Sequence, residues 1–528
     1  MSQLNTDILY LIFKELQYDK KSLVSCLRVN KTWCEIIIPI LWKNPWDGKK
    51  KLLLNVIISY LSDETRNDLN ENFSFITNSY KKPLFNYISF CKHLNLKVIK
   101  KIIEKITIHP HIKEIKNDIL NLFINKNMEY THLYIPKHFD YHFTSGAECC
   151  ISKIKFLKCN AKVNDNILSI LTKSCKLIKE LELTTYEYNY NCGIAKLIEN
   201  QNRLFSINFL NDFFNDKSSR KVIENSLVKH SNTIQYFSMC EQLETKVFTS
   251  FVNLKMLELK GNRTDSELKW NNIRDLSLLY LQTLKVRNIP INCLTNLIIS
   301  SGRQLTKICY HYKDVFSNKL LIRAIYQNCP NLIYLELLYR NKIILDLEKL
   351  LINCRYLKRI DFNIYHYKEL RGYLYVRWHQ LFCTLAVSSP PSLFEFVFKY
   401  TDENPEFICL KYLFDSWKGR HPISLKFKKE RDYYYDSNQY VSLIEFIESY
   451  KEKGIIEKFV HYHDDEDLNL LEIHKAKRVV NNPETVETKT TSIWNKFKEE
   501  FNKYLGYSPG NKYPTPPREY IVKEERKK

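Results

Sequence analysis

The residues best spaced for chemistry lie near the C-terminal end of the sequence. His461 and His463 precede an acidic run at 464–467. Imidazole and carboxylate groups both bind divalent metal ions, so this segment has the right side chains to hold one. Two histidines at i and i+2 beside carboxylates in a polar loop are more often solvated, however. We therefore predict no metal site here.

Other signatures of catalysis do not occur in the sequence. The patterns G-x-x-x-x-G-K-[ST], G-x-G-x-x-G, H-E-x-x-H and C-x-x-C are all missing, and glycine is scarce at 10 residues. Cys149 and Cys150 are adjacent, a spacing that suits neither a chelate nor an easy disulfide. No local motif pairs a cysteine with a histidine. We predict a protein that is not an enzyme and has no catalytic residues and no cofactor.

Composition places the chain among folded proteins without a membrane segment. At 528 residues, 44% of them hydrophobic, it is long enough for two domains or for one elongated array. The longest apolar run, from Leu52 to Leu61, is too short to span a bilayer. The 15 cysteines are dispersed and no signal peptide precedes them, which indicates reduced thiols and a cytoplasmic and/or nuclear location.

The net charge has two interpretations. Lys and Arg number 80 against 59 Asp and Glu, a formal charge of +21. Such a charge can indicate a protein that binds nucleic acid or an anionic membrane surface. It can also follow from a general richness in lysine, spread over every solvated face. The second interpretation is favoured because the lysines are scattered and arginine is rare.

The N-terminal 47 residues are predicted to form three short helices. Ile8, Leu9, Ile12, Phe13 and Leu16 recur at helical spacing and form one apolar stripe. So short a segment cannot enclose all of its apolar groups. Either the rest of the chain or a partner must therefore cover some of them.

Polar residues and a proline predict the ends of these helices. Thr6 or Asp7 is placed to cap the first helix, and Asp19 the second. Asn30 suits a C-terminal stop, and Pro39 is expected to end the third helix.

The order of apolar landmarks in this segment resembles an F-box. The resemblance implies docking on a Skp-type adaptor and, through it, on a cullin ubiquitin ligase. One departure is that Leu4-Asn5 replaces the usual Leu-Pro opening. The alternative is an N-terminal helical cap on a larger domain. The predicted adaptor-binding residues are Leu4, Ile8, Leu9, Ile12, Phe13, Leu16, Leu23, Val29 and Trp33.

A repeated unit, apolar-x-x-apolar-x-apolar, indicates the fold of the rest of the chain. Its copies recur mostly at intervals of roughly 20 to 30 residues, the period of leucine-rich repeats. Each unit is expected to supply a strand and a returning helix, and neighbouring units stack to bury the apolar positions. Clear copies begin at Ile178, Leu204, Leu254, Leu332, Leu357 and Leu393; weaker ones begin at Tyr130, Ile154, Ile234, Ile273 or Leu281, Leu305 and Ile456.

The predicted fold class is an α/β solenoid, a leucine-rich-repeat horseshoe preceded by a small all-α F-box and a helical linker. Cysteines such as Cys175, Cys329 and Cys354 lead into several units, which resembles the cysteine-containing subtype found in expanded fungal F-box families. A conventional α/β domain fits the even recurrence less well. The predicted boundaries are 1–47 for the F-box, 48–128 for the linker, 129–472 for the repeats and 473–528 for a flexible basic tail. The tail contains a possible short helix, read as a docked cap or a peptide-recognition element.

Residues between the apolar positions of each strand are expected to line the concave face and to bind a target. Acids predominate early and lysines late, and this mixture argues against a nucleic-acid groove, which is uniformly basic. The predicted target-binding residues are Glu180, Glu182, Tyr236, Glu258, Tyr334, Glu336, Arg359 and Asp361.

The resemblance implies a substrate-recognition subunit of an SCF-type ubiquitin ligase, with a Skp-type adaptor, a cullin and a target protein as partners. Two alternatives stay open. One is an F-box and repeat scaffold that assembles no ligase. The other is a basic repeat protein that binds RNA or anionic lipid.

Overall fold

The computed structural model describes most of the chain up to His463. The described residues are 5–47, 50–66, 83–106, 113–137, 139, 146–184, 191–210, 217–240, 245–261, 270–274, 276–311, 318–364, 368–369, 372–373, 376–401, 409–429 and 437–463. Leu4, the predicted tail and the acidic run at 464–467 therefore lie outside them. Among the described helices, none is both long enough and apolar enough to cross a membrane.

The main architectural feature is a 14-stranded parallel sheet whose strands pair in chain order. Helices alternate with these strands, in a solenoid-like arrangement that confirms the predicted α/β class. The strands are β1 (His93–Asn95), β2 (His132–Tyr134), β3 (Phe156–Asn160), β4 (Glu180–Thr184), β5 (Ser206–Leu210), β6 (Tyr236–Met239), β7 (Met256–Lys260), β8 (Thr283–Arg287), β9 (Lys307–His311), β10 (Tyr334–Leu338), β11 (Arg359–Ile364), β14 (Glu395–Tyr400), β15 (Ile423–Lys429) and β16 (Ile456–His463). A separate antiparallel pair, β12 (Lys368–Glu369) and β13 (Gly372–Tyr373), is inserted after β11.

The helices form an N-terminal group and a series that connects the strands. The N-terminal group comprises α1 (Thr6–Glu15), α2 (Lys20–Cys26), α3 (Lys31–Trp42) and α4 (Lys50–Ile58). The connecting helices are α5 (Leu96–Ile106), α6 (Lys113–Phe123), α7 (Ala147–Ile151), α8 (Asp165–Ser174), α9 (Gly193–Glu199), α10 (Lys217–Leu227), α11 (Asn271–Arg274), α12 (Ile291–Ser301), α13 (Asn318–Asn328), α14 (Ile344–Asn353), α15 (Trp378–Ser388), α16 (Leu410–Asp415) and α17 (Ser437–Glu452).

The repeat pattern located most strands of the 14-stranded sheet correctly but missed two of them. Each clear copy precedes or enters a strand, and of the two alternatives, Leu281 precedes β8 whereas Ile273 lies in α11. No copy of the repeat pattern was assigned to β15. Strand β1 was not predicted either, and the sheet therefore begins at His93, inside the segment predicted to be a helical linker. Its three residues are too few to show the repeat pattern.

Two predicted helix ends in the N-terminal group are wrong, and one cap is shifted. Asn30 is the N-cap of α3, where its side chain accepts a hydrogen bond from the Trp33 backbone N–H at 2.9 Å. Pro39 lies inside α3. Asn5, rather than Thr6 or Asp7, caps α1, while Asp19 caps α2 as predicted.

Two hydrophobic cores hold these elements together. Leu9, Phe13, Leu23, Ile36 and Ile37 form a small core within the first three helices. The second, much larger core extends from Trp46 to Phe459 and contains the inward-facing strand residues of every repeat. The first three helices therefore have apolar packing of their own.

Polar side chains in the turns before the strands link neighbouring repeats. Gln201, which is 2% exposed, accepts the Ile178 backbone N–H at 3.0 Å and donates to the carbonyls of Cys175 and Leu197. His230 likewise contacts the Ile198 carbonyl at 2.8 Å. These bonds satisfy backbone groups that turns would otherwise bury without partners.

Candidate functional site

One face of the sheet is open, and its side chains form rows that cross the strands. In β4, Leu181 and Leu183 are buried in the core, while Glu180 and Glu182 alternate with them on the opposite side. Parallel pairing in register aligns equivalent residues of successive strands, so that Glu182, for example, is level with Lys158 and Asn208. We call this side the open face.

The structure places all eight predicted target-binding residues on the open face. Four of them lie on its first half, where Glu180 and Tyr236 are exposed and Glu182 and Glu258 are half-buried. Glu182 is paired with Lys158 at 2.7 Å, and Glu258 with Lys260 at 2.8 Å. The other four, Tyr334, Glu336, Arg359 and Asp361, are brought together on strands β10 and β11.

Asp361 is the most deeply buried charged residue of this second group, with 1% exposure. Its carboxylate accepts two hydrogen bonds from the Arg359 guanidinium, Nε to Oδ1 at 2.7 Å and Nη2 to Oδ2 at 3.0 Å. The Tyr334 hydroxyl donates to Oδ2 at 3.1 Å. Arg359 also lies over the Tyr334 ring, 5.2 Å from its centroid. The carboxylate thus fixes Arg359 by a bidentate contact, the strong form of this pair.

Glu336 lies on β10, level with Asp361 of β11, and contacts three further residues. Its Oε1 atom is bonded to the Lys399 ammonium and lies 3.2 Å from His311 Nε2 and 3.4 Å from Asn363 Nδ2. We call the seven residues His311, Tyr334, Glu336, Arg359, Asp361, Asn363 and Lys399 the charge cluster. It spans strands β9 to β14.

Burial and neighbouring groups shift the pKa values of Glu336 and Tyr334 in the charge cluster, and that of Cys309 beside it. Burial alone raises the pKa of the Glu336 carboxyl, but hydrogen bonds from His311 and Lys399 outweigh burial and hold this pKa at about 2. Burial, together with Asp361, raises the pKa of Tyr334 above its usual value. Burial and the nearby Glu336 raise the pKa of the Cys309 thiol to about 11. None of these three groups titrates near neutral pH, as a general base or nucleophile would.

The sequence prediction of target-binding residues omitted His311, Asn363 and Lys399. Each occupies the last outward-facing position of its strand, two residues beyond Cys309, Asp361 and Val397. The period-two alternation of a strand could have identified them. The eight predicted residues stop one position short in β11 and include none on β9 or β14, so they omit the groups that contact Glu336.

The N-terminal end of the open face carries stacked aromatic rings. His93 and His132 stack with 3.8 Å between ring centroids and 7° between ring planes, and His132 stacks on Phe156 at 5.4 Å. Burial lowers the pKa of His93 to about 4, with further contributions from His132 and Lys43. The pKa of His132 is also lowered, mainly by burial. Both rings are therefore neutral at pH 7.

Acidification from pH 6.5 to pH 4 is expected to destabilise this end of the sheet by about 1–2 kcal/mol, since water still screens the half-exposed ring. The folded protein keeps His93 neutral down to about pH 4, whereas the unfolded chain protonates it near 6.5. The unfolded state then binds more protons, so stability falls as the pH falls. Thermal unfolding at pH 4 to 7 would measure the effect.

His93→Phe keeps the stack and should flatten this pH dependence, whereas His379→Phe, at an exposed position on α15, should not. Equal pH profiles for wild type and His93→Phe would contradict the assignment to His93.

The predicted adaptor-binding residues divide between the small core and the surface. Leu9, Phe13 and Leu23 are buried, with Phe13 packed edge-on against Trp33 at 5.0 Å between ring centroids. Leu16 and Trp33 are partly buried against the same core. These five side chains therefore pack the three helices against one another and leave little surface for a partner to contact.

A second stripe on α1 is exposed. Ile8, Leu11 and Ile12 are 46%, 59% and 44% exposed, and their spacing places them on one side of the helix. Val29, after α2, is also exposed at 56%. The single stripe predicted from the sequence is therefore divided in the structure: Leu9 and Phe13 are buried, whereas Ile8 and Ile12 are exposed beside Leu11, which was not predicted. Contiguous apolar surface on a small helical unit is a candidate interaction site.

Metal ligands are not assembled in the part of the chain that the structure describes. No group of three or more His, Cys, Asp or Glu side chains in that part is placed to hold an ion. His461 is buried, with its Nε2 atom 3.3 Å from the Tyr400 hydroxyl. The side chain of His463 and the acidic run after it lie outside the described residues.

Comparison with known proteins gives no family for this chain. No protein-family model matches the sequence, and no curated protein matches it significantly.

Proposed function

We propose that the chain is a substrate receptor of an SCF-type ubiquitin ligase, in which an F-box docks a Skp-type adaptor and leucine-rich repeats hold a target protein. The observation that carries the proposal is the exposed apolar stripe of Ile8, Leu11 and Ile12 on a helical unit that has its own core. The buried stripe of α1 is already satisfied by that core. The exposed stripe is left for another protein.

The strand–helix repeats support the second half of the proposal. A solenoid offers a long face of regularly spaced side chains, which suits binding of an extended protein surface. Glu180, Tyr236 and Glu258 on the open face would contact the target, while the charge cluster would fix the shape of the surface.

The receptor would act by proximity and not by chemistry of its own. Binding a target beside the ligase raises the effective concentration of its lysines at the transfer site. This mechanism needs no catalytic residue or cofactor in the chain.

The proposal predicts that the full chain captures a purified Skp-type adaptor and that Leu11→Glu with Ile12→Glu weakens capture at least about a hundredfold. Apolar anchors at the centre of an interface contribute energies of this size. Surface plasmon resonance against immobilised adaptor would measure the affinity. The matched control is Leu345→Glu on α14, which is 70% exposed but lies on a distant helix.

Circular dichroism must show that each variant is folded. Capture of the α1 variant at wild-type affinity would show that the adaptor does not bind the exposed stripe of α1. Absence of capture by the folded wild type would refute the ligase proposal and favour a scaffold that assembles no ligase.

A further inference from the structure

The two halves of the open face differ in charge. On β3 to β7, the lysines are paired with acids, as Lys158 is with Glu182 and Lys260 with Glu258. From β8 onward, basic side chains predominate. The acids Glu336 and Asp361 are buried beneath them, and the half-buried Glu395 lies 3.5 Å from Arg359. We call the set Arg287, Lys307, Arg359, Lys399, Lys426 and Lys458 the basic half of the open face.

The buried acids hold two of these cations in place. Asp361 binds the Arg359 guanidinium in bidentate fashion, and Glu336 binds Lys399. The side chains of Arg359 and Lys399 nevertheless keep 32% and 22% of their surface exposed, whereas those of Asp361 and Glu336 keep only 2% and 7%. Cations fixed in this way need little reordering when an anion arrives, which lowers the entropic cost of binding.

Other cations of the basic half have no acidic partner within the part of the chain that the structure describes. No ion pair among the described residues joins Arg287, Lys426 or Lys458 to a carboxylate. Arg287 and Lys458 are exposed, and Lys426 is half-buried. These charges therefore remain available to a ligand.

We infer that the basic half of the open face binds an extended peptide segment of the target that carries several carboxylates or phosphates. This inference rests on the proposed function, because it names the class of target that the receptor would select. Six strand spacings separate β8 from β16 in the sheet, about 29 Å at about 4.8 Å each. An extended segment of about eight or nine residues covers that length.

Charge complementarity favours a peptide over a nucleic acid. Single-stranded nucleic acid is held by aromatic rings on which its bases stack. Tyr334 is the tyrosine of the charge cluster, but Lys307 lies 4.3 Å from its ring centroid and Arg359 5.2 Å from it. Both cations occupy the ring surface that a base would need.

The test is fluorescence anisotropy with the full chain and four labelled probes. They are eight-residue peptides of glycine alternating with phosphoserine, with aspartate or with asparagine, and an oligouridylate. We expect saturable binding of the two acidic peptides and none of the asparagine peptide. Whichever acidic peptide binds more tightly identifies the preferred anion.

Charge reversal locates the site. Lys426→Glu with Lys458→Glu should weaken binding of the acidic peptide about tenfold or more, since two attractive contacts become repulsive. The matched control is Lys196→Glu with Lys349→Glu, two exposed lysines on α9 and α14 that give the same net charge. The control should bind as wild type does.

Three results would overturn the inference: no binding of either acidic peptide, equal weakening in both double variants, or tighter binding of the oligouridylate that the same reversal abolishes. No adaptor is present in this experiment. Failure of adaptor capture therefore refutes the receptor proposal alone, and failure of peptide binding refutes the proposed target class alone.

Discussion

Replacing Asp361 by alanine is expected to lower the free energy of unfolding by about 3 kcal/mol, one of the two largest effects that we predict. The substitution removes a buried carboxylate to which Arg359, Tyr334 and Lys399 are all directed. Three polar groups then lose a partner in a site that water reaches poorly. Denaturant unfolding followed by circular dichroism would measure the loss.

Two controls separate the charge cluster from the face as a whole. Glu180→Ala, at an exposed position of the same face, should change stability by less than about 0.5 kcal/mol. Asp361→Leu combined with Arg359→Met should recover much of the loss, because replacing both partners of a buried ion pair leaves neither charge without its partner. Wild-type stability in Asp361→Ala would show that the cluster is not a structural unit.

Phe13→Ala is expected to unfold the first three helices while the sheet stays intact. Truncating a buried phenylalanine costs about 3–5 kcal/mol. Among the described residues, five buried apolar side chains form the small core, namely Leu9, Phe13, Leu23, Ile36 and Ile37, so it cannot absorb such a loss. Hydrogen exchange should show lost protection in α1 to α3 and unchanged protection in β4 to β11.

Tyr10→Ala is the matched control, because Tyr10 lies on the same helix but is 47% exposed. It should leave exchange in α1 to α3 unchanged. Adaptor binding would also disappear in Phe13→Ala, through unfolding and not through a lost contact. A folded Phe13→Ala variant, with native exchange rates in α1, would contradict this division between core and surface residues.

The strand positions could be predicted because their signal is local. Leu257 and Leu259 alternate with Met256 and Glu258, so the sequence itself shows which side chains face the core. The same period identified Glu336 and Asp361 as outward-facing. Their burial could not be predicted, because it depends on His311, Arg359 and Lys399, which the sheet register places around them.

The errors in the N-terminal helices have the same origin. Asn30 suits either end of a helix, and only the chain direction after it decides that it caps α3. Pro39 normally ends a helix, but burial of Ile36, Ile37 and Ile38 stabilises α3 through it. The local preferences of Asn30 and Pro39 for ending a helix were outweighed by the packing of α3, which cannot be seen in the sequence.

The pairing of strands in chain order has a consequence for synthesis. Each strand of the sheet from β2 to β11 bonds to the strand made just before it, and none of these strands waits for a distant partner. The chain can therefore fold from its N-terminus on the ribosome, with each new repeat docking on a finished edge. Because the basic half of the open face is made last, its cations are assembled only after the first three helices have left the ribosome.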